Sequence, residues 1–401
     1  MHLNTAAQAL RISNGAQFAT ARTLAEIAAL REDWQRLERA SPDPCFFQSY
    51  TWCHHIAKSW QNGPANTQFT PCVAVRRIAG KVTAIWPLSL QKSGMRTSLR
   101  SLDDPFGQFA GIIAETQDEA DALVRDCVAH FRTSKGADGA RINNVPTSGR
   151  LFRALQTANF KARDKTQAPY IALSGFADFT ELKRSRNKKS MKNLRNASNS
   201  IARNGEVLSE VYTDPQDVRG LIARTTANRL RWLADTGNTA PAFRVPGNAE
   251  IMADCASELP RKCIGFELYL NGQSIAQQWG FVHCSRYYAY MSGVSPDAWA
   301  HSPGKIHLSK VIEAAMDQLD DGEPLRFIEF LTPASPYKMV WTDETHELIT
   351  MAADFTQTGR ISRVLWDDTL RPAIKKAFYA LPTGLRGKLS HRMPSDLDGH
   401  S

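Results

Sequence analysis

The sequence predicts an α/β protein with mixed sheets, folded as two domains in tandem. The chain has 401 residues, more than one hydrophobic core usually serves. Both halves interleave segments of helical apolar period with segments of strand-like alternation. Asn271-Gly272, flanked by two alternating segments, is the strongest short-range signal for a hairpin. The expected domains are residues 1–170 and 171–355, followed by a basic amphipathic tail at 356–401.

In the first half, Leu24, Ile27, Leu30, Trp34 and Leu37 form one stripe, which predicts a helix over residues 24–39. Ser41-Pro42-Asp43-Pro44 stops it. A second helix is expected from Ser49 or Tyr50 to Trp60. Strands at 71–77 and 82–90 meet at the turn Ala79-Gly80-Lys81. Residues 103–107 read as loop, 118–134 and 149–158 as helices, 141–145 and 168–173 as strands. The second half repeats this grammar: a basic helix over 179–204, a strand at 206–212, and a helix over 214–236 ended by Gly237 and Asn238. The hairpin 263–270/273–284 follows, then a strand at 287–294 and a helix over 305–319. A strand at 326–331, a short helix or loop at 337–341 and a strand at 347–354 complete the domain.

Apolar residues are 42% of the chain and charged residues 22%, as in ordinary globular proteins. No apolar run approaches the roughly 18 residues a membrane-spanning helix needs. Met1-His2-Leu3-Asn4-Thr5 does not read as the start of a signal peptide. The seven cysteines are scattered without a Cys-x-x-Cys spacing, which predicts reduced thiols in a cytoplasm. No metal site is expected; His54 and His55 are adjacent and, on a helix, point about 100° apart.

The net charge is +9, and it is unevenly spread. Residues 183–203 hold eight basic side chains and no acidic one. Met191, Leu194 and Ile201 recur at near-helical spacing, so this segment reads as a helix docked by an apolar stripe with a cationic flank. Arg186, Lys189 and Arg195 are its candidates for holding an anionic group of the substrate, because a guanidinium offers a planar fork to phosphate or carboxylate. The tail is also basic: residues 360–392 hold eight basic and two acidic residues. Ile361, Val364, Leu365, Leu370, Ile374, Phe378 and Leu381 give it an apolar face, suited to packing on the body or to lying on an anionic membrane surface.

One segment has the order of a phosphate site. A strand ends in His301-Ser302-Pro303-Gly304-Lys305, and a helix begins there. The free N–H groups of a helix's first turn and its dipole attract an anion, and Gly304 lets the ligand approach the backbone. Ser302, Pro303, Gly304, Lys305 and Ile306 are therefore the candidate cofactor-binding residues, with Lys305 or His307 adding charge.

Five motifs in order give the chain a family resemblance. They are Phe46-Phe47-Gln48-Ser49-Tyr50-Thr51-Trp52, Ile85-Trp86-Pro87-Leu88, Ser185-Arg186-Asn187-Lys188-Lys189 with Leu194-Arg195 and Gly205, Ser302-Pro303-Gly304, and Tyr337-Lys338 with Trp341. Across residues 24–350 the chain resembles the CelD/BcsL-like acetyltransferases, a branch of the GNAT superfamily similar to the Fem-type peptidoglycan aminoacyltransferases. The resemblance implies two tandem GNAT-like domains, the second catalytic and the first degenerate. It implies acetyl-CoA or another acyl-CoA as co-substrate, whose pantetheine arm lies between two splayed strands and whose pyrophosphate sits on the following helix. The implied acceptor is an amine of a small molecule or of a cell-envelope or polysaccharide precursor. Where the family has Asp-Phe-Leu-Arg-Gly, this chain has Glu329-Phe330-Leu331-Thr332-Pro333, which keeps the carboxylate and loses the basic residue and the glycine.

Acyl transfer to an amine needs a base for the amine proton and an acid for the leaving thiolate. Glu329, near a strand end, is the candidate base, and the resemblance makes Tyr337 the candidate acid. Lys338 is a further candidate for binding an anionic group. Two alternatives stand beside this reading: transfer of an aminoacyl group from tRNA, and a non-catalytic anion- or nucleic-acid-binding protein. The expected location is cytoplasmic, with peripheral membrane contact through the tail.

Overall fold

A computed structural model describes residues 10–11, 15–42, 44–94, 96–317, 325–381 and 386. The N-terminal segment read for a leader, Asp43, Leu319 and most of the tail beyond 381 lie outside the described residues. The chain forms two compact units. The first comprises residues up to 166, 245–247 and 347–376; the second comprises 167–244, 248–346 and the residues from 377. Residues 347–376, divided in the sequence reading between the second domain and the tail, thus make their contacts in the first unit.

The first unit opens with β1 (Leu10–Arg11), β2 (Ala16–Ala21), α1 (Leu24–Ala28), α2 (Arg31–Ala40) and α3 (Tyr50–Asn62). The strands β3 (Phe69–Pro71), β4 (Val73–Ile78), β5 (Lys81–Trp86), β6 (Leu88–Ser93), β7 (Arg96–Ser101) and β8 (Ile113–Ala114) follow. Then come α4 (Gln117–Ser134), β9 (Gly139–Pro146) and α5 (Arg150–Thr157). One sheet has the order β1-β2-β4-β5-β8. A core of Phe18, Trp86, Leu99, Leu123, Cys127, Phe131, Ile142 and Leu155 packs beneath α4 and α5.

Two expectations need correction here. The helix over 24–39 is two helices broken at Ala29–Leu30, although Ile27, Leu30, Trp34 and Leu37 are all buried as the stripe requires. Thr23 and Glu26 close a capping box on the first. The strand over 82–90 is also two. Pro87 has no N–H for a ladder, so β5 stays with β4 while β6 pairs with β3 and β7.

The second unit takes the end of β10 (Lys161–Ala172), then α6 (Phe179–Ser185), α7 (Lys188–Ala202), β11 (Val207–Tyr212), α8 (Pro215–Thr236) and α9 (Asn248–Glu258). After these come β12 (Cys263–Leu270), β13 (Gln273–His283), β14 (Arg286–Val294), α10 (Pro303–Met316), β15 (Phe327–Glu329) and the start of β16 (Thr345–Asp354). The hairpin over Asn271-Gly272 is as expected; α9 was not anticipated. The basic helix is interrupted at Arg186–Asn187, because the Asn187 side chain accepts from the N–H groups of Lys189 and Ser190 and starts a new helix.

Strand order in this unit is β11-β12-β13-β14-β15-β10, antiparallel except for the parallel pair β14·β15. Gly265 and Gly293 back onto Leu221 and Thr225 of α8. Ile264 and Phe266 instead cluster with Leu308, Val311 and Ile312 of α10. Side chains alternate along a strand, so α8 and α10 cover opposite faces of the sheet.

The last helices are α11 (Gln357–Ser362), a π-helical turn Arg363–Leu370, and α12 (Arg371–Ala380). Arg363 bonds both carboxylate oxygens of Asp354, and Gly359 packs against the Asp138 backbone, so this part of the tail is fastened to the first unit. Its apolar positions Ile361, Val364, Leu365 and Leu370 are exposed, and Phe378 is buried.

Candidate functional site

The second unit contains a fork between two parallel strands. β14 and β15 pair at Arg286↔Phe327, Tyr287↔Ile328 and Tyr288↔Glu329. There β15 ends, while β14 runs on to Val294. At the same point the ladder of β14 with β13 changes register: Trp279 faces Met291 and Phe281 faces Tyr288. Ala289 and Tyr290 thus oppose the single residue Gly280, and the bulge bends β14 away from the line of β15. Gly280 is required for this, since a Cβ there would overlap the carbonyl of Tyr288. Past Tyr288 the backbone of β14 has no ladder partner from β15.

The far end of β14 meets the start of α10. A short 3-10 turn, Pro296–His301, leads to Ser302, whose φ of 52° is left-handed. No side chain caps α10, whereas Asn187 caps α7 and Asp214 caps α8. A Cβ on Gly304 would stand 3.4 Å from Val294, so the first turn of the helix lies against the end of the strand. Ser302 and Lys305 are exposed and Gly304 is half-buried, while Pro303 and Ile306 point inward. The N-terminal turn therefore offers an anion its dipole, the Gly304 N–H and the Lys305 ammonium.

His307 does not add charge to this turn. It is buried, neither ring nitrogen has a partner, and burial pushes its pKa down to about 4. An imidazole that resists protonation in the fold and titrates near 6.5 when unfolded supports stability fully above about pH 6.5. That contribution is lost as pH falls from 6.5 toward 4 and amounts to about 3 kcal/mol. His307→Leu should accordingly lose less stability than the wild type between about pH 7 and about pH 4 in urea unfolding. Equal losses in the two proteins would refute the assignment.

Glu329 ends β15 at the crotch of the fork. It is 2% exposed, pairs with Arg286 at 2.5 Å and accepts from His346 Nε2 at 3.1 Å. Arg286 also stacks its guanidinium 3.9 Å from the Phe327 ring centre, and His346 stacks on Tyr170. Glu329, the candidate base of the sequence analysis, is thus held between Arg286 and His346.

Tyr337 lies in the turn after β15 and is 36% exposed. Nearby, Arg229 of α8 lies over the Trp232 ring at 4.2 Å, and burial lowers the pKa of its guanidinium. Lys338 is not directed at an outside anion. Its Nζ donates to the carbonyls of Leu331 and Pro333, both at 3.0 Å, and holds the loop where β15 turns away. Burial, reinforced by Arg229, pushes its ammonium down to about 7.

Arg186 is engaged likewise. It bonds the Trp341 carbonyl at 3.0 Å and Ser185 Oγ at 3.0 Å, and lies over Phe176. It fastens the α6–α7 junction to the turn that carries Tyr337. Lys189 and Arg195 remain exposed on α7, which packs on α10 and on the 3-10 turn before it.

The sequence reading missed a second polar cluster. Glu267 on β12 is fully buried and accepts two bonds from Arg224 of α8, at 3.0 and 2.6 Å. Tyr269 donates to it at 2.8 Å, and Tyr212 meets Tyr269 at 2.7 Å. Burial raises the pKa of this carboxyl, but the bonds from Arg224, Ser274 and Tyr269 outweigh it and hold the group below its ordinary value. The signal was available: an acid at an inward position of an otherwise apolar strand. Among the described residues no group of side chains is arranged to hold a metal.

Residues 188–339 match the family model of the acetyltransferase (GNAT) domain. No curated protein matches the chain. Among solved structures, FemX is 11% identical, with 89% of this chain and 99% of that one covered and a TM-score of 0.58. A tandem GNAT protein from the clavulanic acid biosynthesis pathway is 11% identical, with 85% and 99% covered and a TM-score of 0.51. The C-terminal domain of a putative lysylphosphatidylglycerol synthetase from Agrobacterium fabrum is 13% identical, with 84% and 95% covered and a TM-score of 0.50. Residues 188–339 thus carry a GNAT acetyltransferase domain, and the fold of the chain is like that of a tandem GNAT protein.

Proposed function

We propose that the protein moves an acyl group, acetyl as the first expectation, from acyl-CoA to an amine. The observation that carries this reading is the fork. β14 continues past Tyr288 without β15, paired with β13 only, and leads to an uncapped helix N-terminus at Ser302–Gly304. A pantetheine arm would complete the open edge of β14, and its pyrophosphate would meet Ser302, Gly304 and Lys305. Acyl-CoA supplies the thioester; the protein's residues handle the protons.

In this reading the amine proton goes to the Glu329–His346 couple, with the carboxylate orienting the imidazole and Arg286 fixing the carboxylate. The Tyr337 hydroxyl donates to the departing thiolate. Lys189 and Arg195 serve an anionic part of the acceptor or cofactor. Lys338 and Arg186 set the shape of the loop and helix around them. The motif order shared with the CelD/BcsL-like acetyltransferases supports an amine of a small molecule or of a cell-envelope or polysaccharide precursor as acceptor, and the scattered cysteines support a cytoplasmic setting.

Radiolabelled acetyl-CoA offered with amine acceptors should give labelled product. Tyr337→Phe should lower kcat about 100-fold and leave CoA affinity unchanged. Wild-type kcat in that variant would remove Tyr337 from the mechanism.

A second reading is aminoacyl transfer from tRNA. The likeness to FemX and the exposed cations of α7 favour it. Under that reading labelled aminoacyl-tRNA, and not acetyl-CoA, would donate, and tRNA binding would weaken steeply with salt.

A further inference from the structure

The sheet-facing side of α8 carries a guanidinium where a core side chain would be expected. The buried residues of α8 are Val218, Leu221, Ile222, Thr225, Thr226 and Leu233, which recur at helical spacing and form one face. Leu221 and Thr225 of that face meet the sheet at Gly265 and Gly293. Arg229 falls in the middle of the same face, one turn after Thr225 and one turn before Leu233. It is half-buried, and its guanidinium lies over the Trp232 ring at 4.2 Å. Among the described residues no carboxylate pairs with it and no oxygen accepts from its side-chain N–H groups. The indole supports the face of the cation and leaves its donor edge without an acceptor.

A second cation stands near. Lys338, in the turn after β15, is half-buried and donates with two of its three N–H groups to the Leu331 and Pro333 carbonyls. Burial disfavours both charges, and Arg229 further disfavours that of Lys338. Charges withdrawn from water are ordinarily paired. The α10 turn that would take the pyrophosphate lies on the other face of the sheet, which leaves Arg229 for the second substrate.

We propose that Arg229 holds a carboxylate of the acceptor, so that the substrate is an amine of the amino-acid type. A guanidinium held by its face presents its fork edge-on, which suits a planar carboxylate bonded through both oxygens. Such a substrate brings the counter-charge that this face of α8 lacks. The identity of the anion as acceptor rests on the acyl-transfer reading; the anion site itself can be tested without it.

Arg229→Met keeps an aliphatic stem over Trp232 and removes the charge. In urea unfolding without substrate it should be at least as stable as the wild type, because a cation without a partner is removed. A clear loss of stability would mean that the protein already supplies the partner, and overturns the proposal. Crystals of the full chain soaked in sodium bromide should show an anomalous peak within hydrogen-bond reach of the Arg229 guanidinium; its absence overturns the proposal. With radiolabelled acetyl-CoA, amino acids should be acetylated and their carboxamides should not. Arg229→Met should raise the KM for the amino acid about tenfold or more, with acetyl-CoA affinity unchanged. Carboxamides acetylated as well as the acids, an unchanged KM, or no acetylated amino acid from a protein that binds acetyl-CoA each overturn it. Weaker acetyl-CoA binding in the variant would assign Arg229 to the cofactor and overturn it as well. Bromide on Arg229 in a protein that does not bind acetyl-CoA supports the anion site and counts against the acyl-transfer reading instead.

Discussion

Gly280→Ala should destabilise the second unit by on the order of 3 kcal/mol and abolish acyl-CoA binding at the same time. The added methyl would collide with the backbone of the neighbouring strand, at the Tyr288 carbonyl and the atoms behind it. A backbone contact cannot be relieved by a rotamer change, so the register of β13 and β14 has to shift. That shift straightens the bulge that parts β14 from β15. Urea unfolding of the variant reads the first effect, and titration with acetyl-CoA reads the second. A variant with wild-type stability would mean that the bulge is not required at Gly280.

Arg286→Met should have the next largest effect, a loss of about 3–5 kcal/mol. Glu329 is 2% exposed, and without Arg286 its charge keeps only the bond from His346. The packing of Arg286 on Phe327 is lost as well. The double variant Arg286→Met/Glu329→Gln should recover much of the stability, because it removes the stranded charge along with its partner. If the double variant is as unstable as the sum of the two single ones, the pair is not what holds the crotch of the fork.

The fold was legible wherever local chemistry decides it. Asn271-Gly272 fixed a hairpin, Gly237 a helix end, and the apolar stripe of Met191, Leu194 and Ile201 the docked face of α7. Errors came where one polar side chain or one missing N–H outweighs periodicity, as at Asn187 and Pro87. The candidate site could be read as a sequence of positions and not as a set of charges. Ser302, Gly304 and Lys305 could be read from a loop before a helix. The partners that decide what a cation or carboxylate does come from distant residues: Arg286 and His346 for Glu329, the carbonyls of Leu331 and Pro333 for Lys338, that of Trp341 for Arg186. No spacing rule announces such pairs.

The central claim, that the fork and the first turn of α10 form an acyl-CoA site, is tested most directly by calorimetric titration of acetyl-CoA into the wild type and Gly304→Val. The two γ-methyl groups of valine would stand between the helix turn and the end of β14, where Val294 already lies 3.4 Å from the Cβ position. The account predicts saturable binding to the wild type and at least tenfold weaker binding to a folded Gly304→Val. Equal affinity in the two proteins, or no binding to the wild type, would contradict it.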